Sequence, residues 1–215
     1  MSVNTRSRLQ WSVVTTTRIE QKERTRRAIL DAALTLCEGS SLVALSLRAV
    51  AKEVGIVPTA FYRHFDSIEA LGLALVEESF TSLRAMLRDV RRGSPAYGDI
   101  VDSSVEVLRE HVAGSPRHFA FIARERTAGP PPVRAEIRHQ ISLVERELAT
   151  DLALLPGTEK WSSEDLRMVS GLIVTAMVAT AEELVERPAE ADEISRVARR
   201  RLLMVLIGAL HWESH

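Results

Sequence analysis

Apolar residues recur along this chain at helical spacing, interrupted by short breaks of Gly, Pro and Ser. Ile29, Ala32, Ala33 and Leu36 fall at i, i+3, i+4 and i+7, one face of a helix predicted over about 18–38. Gly39, Ser40 and Ser41 end it. Leu47, Val50, Ala51 and Val54 repeat the spacing behind Ser46, a good N-cap residue, and Gly55 closes this second helix. Pro58, whose fixed φ suits a first helical turn, opens a short third helix to about His64. Asp66, three residues ahead of Glu69, has the form of a capping box. It predicts a long helix to about Arg92 with Leu73, Val76, Phe80, Leu83, Leu87 and Val90 on one face.

Further helices are predicted near 97–113, 116–127, 131–154, 163–186 and 189–213, with breakers at 114–116, 129–132, 156–157 and Pro188. No β-run with turn chemistry, internal repeat or low-complexity tract interrupts them. The expected fold is all-α with about nine helices. Residues 1–17, rich in Ser and Thr, are expected to form a flexible N-terminal arm.

Charge changes this picture at one end. Residues 1–65 hold ten Lys/Arg against five Asp/Glu, an excess of +5. With a net charge of −1 for the 215 residues, the remainder carries −6. Such asymmetry points to a polyanion at the N-terminal end. The single cysteine, Cys37, excludes an internal disulfide and, among Ala33, Leu34 and Leu36, reads as core. The longest charge-free runs, 168–181 and 202–210, fall short of the roughly 20 apolar residues of a membrane span. With no signal peptide visible in the first 17 residues, a cytoplasmic protein without membrane association is expected.

Residues 46–65 read Ser-Leu-Arg-Ala-Val-Ala-Lys-Glu-Val-Gly-Ile-Val-Pro-Thr-Ala-Phe-Tyr-Arg-His-Phe. A first helix ends at Gly55 and a short second one begins three or four residues later, the form of a helix-turn-helix. Small Ala51 lets the two helices cross closely, and Leu47, Val50, Val54, Ile56, Phe61 and Phe65 can form the inner face. Pro58, Thr59, Ala60, Tyr62, Arg63 and His64 are left on an outer face suited to base edges and phosphates in a major groove. Ser46 and Leu47 at a helix N-terminus, with Arg48, Lys52 and Ser67, can add phosphate contacts. Spacing alone also fits a helical hairpin in an ordinary bundle; the basic run 24–27 favours DNA.

With the helix before it, this segment resembles the TetR family of bacterial repressors over about residues 20–75. The likeness is carried by Ala-Val-Ala-Lys-Glu-Val-Gly-Ile (49–56) and Phe-Tyr-Arg-His-Phe (61–65). The resemblance implies a helix-turn-helix DNA-binding domain over 18–66 and a ligand-binding and dimerisation domain over 67–215. It also implies that Thr59, Tyr62 and His64 face double-stranded operator DNA and that the protein acts as a homodimer. Residues 21–27, 46–48, 55–65, 71–76, 121–126 and 206–212 resemble a narrower subgroup, the repressors of unsaturated fatty acid synthesis and acyl-CoA desaturase genes. That likeness implies a sensor of long-chain acyl-CoA or acyl-carrier protein.

An acyl chain needs a long apolar slot. Phe80, Leu83 and Leu87 can line one wall, Val105, Leu108, Phe119 and Ile122 a second, and Ile141, Val144, Val169, Ile173 and Met177 the rest. Equally, these residues can simply pack together. A phosphate-bearing head wants Arg forks, and Arg117, His118, Arg124, Arg126, Arg134 and Arg138 cluster in sequence, with Arg124 and Arg126 the strongest candidates. Runs 168–181 and 202–210 are apolar around the whole helix, as a dimer interface or a buried core requires. There is no Gly-rich phosphate loop, HExxH or nucleophile elbow, so neither enzyme chemistry, metal nor cofactor is expected. The reading is an acyl-CoA-responsive repressor. Its rivals are a similar repressor sensing an amphipathic drug or other lipid, and a helical lipid-binding protein without DNA function.

Overall fold

The computed structural model describes residues 6–91, 97–155, 157–158 and 160–212; the side chains of 6–17, 82, 85–91 and 97–99 lie outside the description. Within these bounds every regular element is helical. They are α1 (Arg6–Leu36), α2 (Leu47–Val54), α3 (Pro58–Phe61), α4 (Ile68–Arg91), α5 (Tyr97–Gly114), α6 (Pro116–Ala128), α7 (Pro131–Leu152), α8 (Ser163–Glu186) and α9 (Ala191–Leu210). Single 3-10 turns stand at Leu42–Ala44 and Pro188–Glu190. The all-α expectation holds, down to prolines at the first turn of α3, α6 and α7, where no N–H is lost to the helix.

Three boundaries differ from expectation. The first helix does not begin at 18: α1 starts at Arg6, so the expected arm and the first helix share one element. Residues 1–5 and the side chains of Arg6 and Arg8 lie outside the described residues. The α-helical part of the third helix ends at Phe61, and Tyr62, Arg63 and His64 continue as turns held by Arg63 N–H to Ala60 O (3.2 Å) and His64 N–H to Phe61 O (2.8 Å). Finally, the cap of α4 is Ser67 rather than Asp66, because the Ser67 hydroxyl accepts from Ala70 N–H at 3.0 Å.

The largest core does not respect a boundary near residue 66. Ile29, Ala33 and Leu34 of α1, Val50 of α2, Phe61 and Phe65 pack into one cluster with Leu71, Leu75 and Phe80 of α4. Phe121 of α6 and Val133 and Ile137 of α7 belong to the same cluster. Each such side chain contributes about 1.5–3 kcal/mol on burial. The N-terminal helices are therefore packed onto the C-terminal ones rather than hung from a linker. Gly72 marks a tight approach: a Cβ there would fall 2.6 Å from Leu42 Cδ1 and 3.0 Å from Val133 Cγ2. On α4, Leu71, Leu75, Val76 and Phe80 point inward, whereas Leu73, expected on the inner face, is exposed.

Two smaller clusters hold the rest. Leu108, Val112, Leu184 and Ile194 form one; Val101, Val105, Ala198, Leu202 and Leu206 form the other. Ser162 and Asp165 complete a capping box at the start of α8, and the Trp212 indole donates to Asp165 Oδ1 at 3.1 Å, pinning the end of α9 there. By length and composition α8 alone among the described helices is apolar enough to cross a membrane, with a mean hydropathy of 1.6. It packs between α7 and α9 and buries Ser170, Val174, Thr180 and Leu184.

Candidate DNA-reading face and ligand cavity

The helix-turn-helix is built by local rules. The Ser46 hydroxyl accepts from Ala49 N–H at 3.1 Å, starting α2. Gly55 ends it in the left-handed region at φ 74°, and the following N–H of Ile56 reaches back to Ala51 O at 2.9 Å. Any residue with a Cβ is strained at that φ. Val50, Ala51 and Phe61 are buried, Phe65 nearly so, and Leu47, Val54 and Ile56 pack against the same cluster, as the sequence predicts.

This anchoring turns the other side outward. Pro58, Thr59, Tyr62 and Arg63 are exposed, Tyr62 to 58 %, while Ala60 and His64 are half-buried. Ser46 and Arg48 are exposed at the start of α2, with Leu47 and Ser67 half-buried nearby along the chain. The oxygens of both serines accept from their helices, which leaves their O–H groups free to donate to phosphate. Arg26 of α1 holds this end in place: its guanidinium lies 4.4 Å from the centroid of the Phe65 ring and Nη1 donates to His64 O at 3.3 Å. Burial and the neighbouring cations Lys22 and Arg26 hold the His64 imidazole below its ordinary value, so near neutral pH it is uncharged.

A second feature lies inside the C-terminal helices. A cavity of about 520 Å³ is walled by α4 to α9, within the range of small-molecule sites. Phe80, Leu83, Leu108, Phe119, Ile122, Arg126, Ile141, Val144, Ile173 and Met177 line it as expected. Two expected apolar residues do not. Val105 turns away into the cluster with Ala198 and Leu202, because α5 presents Val101, Ser104 and Leu108 to the cavity instead. Val169 is half-buried on α8 outside the lining, which begins at Ile173. Leu87 falls outside the described side chains. The sequence reading missed Leu148 and Leu152, although they extend the Ile141–Val144 stripe of α7 at the same helical spacing, and Leu155 just after the helix.

The arginine cluster is mostly engaged by the protein itself. Arg117 donates to Thr35 Oγ1 at 3.1 Å, and Arg134 to Gly129 O at 2.7 Å. Arg124, expected at a ligand head group, is not in the cavity wall. Its guanidinium donates to the carbonyls of Cys37, Glu38 (2.8 Å) and Ser40 (3.4 Å) at the end of α1. Its neighbour Glu125 is fully buried and accepts from Leu42 N–H and Ser41 Oγ, both at 3.0 Å. Arg126 does reach the cavity, in an ion pair with Glu182 at 2.7 Å. Burial pushes the Cys37 thiol up to about 11, with Glu125 adding to the effect, so it is an inert core thiol.

The His118 ring joins three helices. Nδ1 lies 2.9 Å from Ser79 Oγ, and Nε2 lies 3.8 Å from Glu78, which also pairs with Arg27. The Ser79 hydroxyl donates to Leu75 O at 2.7 Å, so its oxygen is left to accept and His118 carries its proton on Nδ1. Burial holds the imidazole below its ordinary value against the opposing pull of Glu78.

Residues 29–75 match the family model of bacterial regulatory proteins, tetR family. Solved structures share the fold over nearly the whole chain. A transcriptional regulator from Rhodococcus sp. Rha1 aligns with a TM-score of 0.66 at 20 % identity, covering 87 % of this chain and 96 % of that one. The fatty acid degradation regulator FadR from Bacillus halodurans gives 0.68 at 16 % identity, with 86 % and 95 % covered. The transcriptional regulator FadR from Bacillus subtilis in complex with stearoyl-CoA gives 0.67 at 16 %, with 85 % and 98 % covered. At these identities the likeness is one of fold. Residues 29–75 thus form a TetR-type helix-turn-helix, and a helical C-terminal domain follows it.

Proposed function

We propose that the protein is a ligand-responsive transcriptional repressor of lipid-metabolism genes that binds double-stranded operator DNA as a homodimer and senses a long-chain acyl-CoA. The observation that carries this reading is a shared element. α4 starts at Ile68, directly after the DNA-reading turn, and further along places Phe80 and Leu83 in the wall of the apolar cavity. A ligand that favours one position of α4 moves the reading face with it, and its control of DNA extends only as far as its differential affinity for the two positions. The stearoyl-CoA held by the Bacillus subtilis regulator of the same fold supports an acyl chain as the occupant.

The homodimer reading is supported by the outer faces of α8 and α9. Met168 and Leu172 on α8, and Leu203, Met204, Ile207 and Leu210 on α9, are exposed at helical spacing. Two such helices from each protomer form a four-helix interface. This places two reading faces on one duplex, where half-sites lie about 34–36 Å apart.

A second reading, a lipid or drug without a phosphate-rich head, is favoured by the engagement of Arg117, Arg124, Arg126 and Arg134 with protein partners. The test selects duplexes from a random library with the purified protein and follows affinity against salt, which should fall steeply. Native mass spectrometry with saturated and unsaturated acyl-CoAs, and with unrelated amphipathic drugs, tests the ligand. No selected duplex removes the regulator reading; an equal response to the drugs removes the acyl-CoA.

A further inference from the structure

The Arg126–Glu182 pair is a partition between two spaces. On its inner side lies the apolar cavity. On its outer side lies an open cleft of about 400 Å³ bordered by Ala123, Arg124, Arg126, Thr127, Glu182 and Glu186. Ala123, Arg126 and Glu182 border both. The inner space is apolar almost throughout, and the outer one has two arginines and two glutamates in its wall. An elongated molecule that crosses the partition is therefore greasy at one end and polar at the other.

Arg124 gives the cleft a second property. α1 has no basic residue in its last turn, so its C-terminal carbonyls, where the helix dipole is negative, lack a cation of their own. Arg124 of α6 supplies one from across the fold, donating to Cys37 O, Glu38 O and Ser40 O in the turn that directly follows α1. The same guanidinium thus borders the cleft and closes the end of the helix whose Arg26 steadies the DNA-reading turn. Both arginines are partly exposed to solvent. Partly exposed ion pairs are worth little net free energy, so an incoming anion can replace Glu182 on Arg126 at small cost.

We propose that the outer cleft is the subsite for an anionic head group, and that Arg124 is the positioning residue that reports its occupancy to α1. An anion in the cleft takes Arg126 from Glu182 and draws Arg124 from the carbonyls just after α1, loosening the C-terminal end of the helix whose Arg26 meets the reading turn. The ligand class is an anionic amphiphile; a neutral ester of the same chain fills the cavity without touching the switch. This inference rests on the regulator reading for its effect on DNA, but not for its effect on α1.

The test compares stearoyl-CoA, stearate and methyl stearate on the full-length protein. In the native protein the two anions are expected to change affinity for a selected duplex by about tenfold or more, and methyl stearate by less than about twofold. Arg124→Gln is expected to bind stearate more weakly but still to saturate, because the chain keeps its apolar cavity, while the change in duplex affinity at saturating stearate falls below about twofold. A purely structural role for Arg124 lowers duplex affinity with and without ligand and leaves the ratio intact, which would overturn the proposal. So would a methyl ester that acts as strongly as the acid. If Arg124→Gln does not fold, Arg124→Lys keeps the charge but loses the planar fork and is expected to lose the ratio likewise. Amide exchange at residues 37–42 supplies a readout free of DNA. It should quicken with stearate in the native protein and not with methyl stearate. Unchanged exchange sinks the Arg124 switch even if DNA binding stands, and failure to select a duplex sinks the regulator reading even if exchange responds.

Discussion

Arg26 of α1 sits over the Phe65 ring, 4.4 Å from its centroid, and donates to the carbonyl of His64 next to it. One side chain thus fixes the end of the proposed DNA-reading segment by cation–π attraction and by a hydrogen bond. α3 has only four α-helical residues, too few to hold their own conformation. We expect Arg26→Ala to lose about 1 kcal/mol of stability, read as a lower Tm, together with weaker duplex binding. A variant with native Tm and native duplex affinity would show that Phe61 and Phe65 anchor the segment unaided.

Tyr62 faces the opposite way. Its ring meets Phe61 edge-on at 6.0 Å yet is largely exposed, so it is braced from behind and free in front. Tyr62→Ala should leave Tm and oligomeric state unchanged and weaken specific duplex binding by about 1–3 kcal/mol, the worth of one good base contact. Fluorescence anisotropy on selected and scrambled duplexes separates this loss from a general loss of phosphate contacts, which would weaken both equally.

The helices were legible because the sequence marks their ends. Ser46, Gly55, Pro58, Pro116 and Pro131 each act within one turn of their own position, and the structure places helix ends at all of them. The exposed reading face followed from the same local spacing, since burying Phe61 and Phe65 leaves Thr59, Tyr62 and Arg63 outside. The roles of the arginines were not legible. Arg124 meets Cys37 O across 87 positions and Arg126 meets Glu182 across 56. No periodicity encodes such partners. Val105 shows the limit within a helix: α5 is buried on more than one side, so an apolar residue there need not face the cavity. Asp66 and Ser67 are two good capping residues in succession, and it is the Ser67 hydroxyl that accepts from Ala70 N–H.

His118 makes the fold sensitive to acid. An unfolded histidine takes its proton near pH 6.5, whereas burial holds the native imidazole lower. Between these two values the unfolded chain binds a proton that the native state refuses, so stability is full above pH 6.5 and is lost as pH falls below it. His64 shifts in the same direction and adds to the loss. His118→Asn, which can still donate to Ser79, should flatten the fall in Tm between pH 7.5 and 5.5. If the variant keeps the native slope, His118 is not a source of it.

The outer stripe of α8 and α9 is the test of assembly. Leu172 and Met204 are 57 % and 67 % exposed, while Val174 and Leu202 on the same helices are buried against the core. Substituting the exposed pair by Glu leaves the protomer's own packing alone but puts charge into the proposed seam, where an unpaired carboxylate costs several kcal/mol. Leu172→Glu with Met204→Glu should therefore sediment as a monomer with native helical content and native affinity for stearate. Its duplex affinity should fall far more than that of Tyr62→Ala, because one reading face remains per particle and the second half-site is no longer engaged. A double variant that sediments as native dimer would place the interface elsewhere on the surface and free this stripe for another partner.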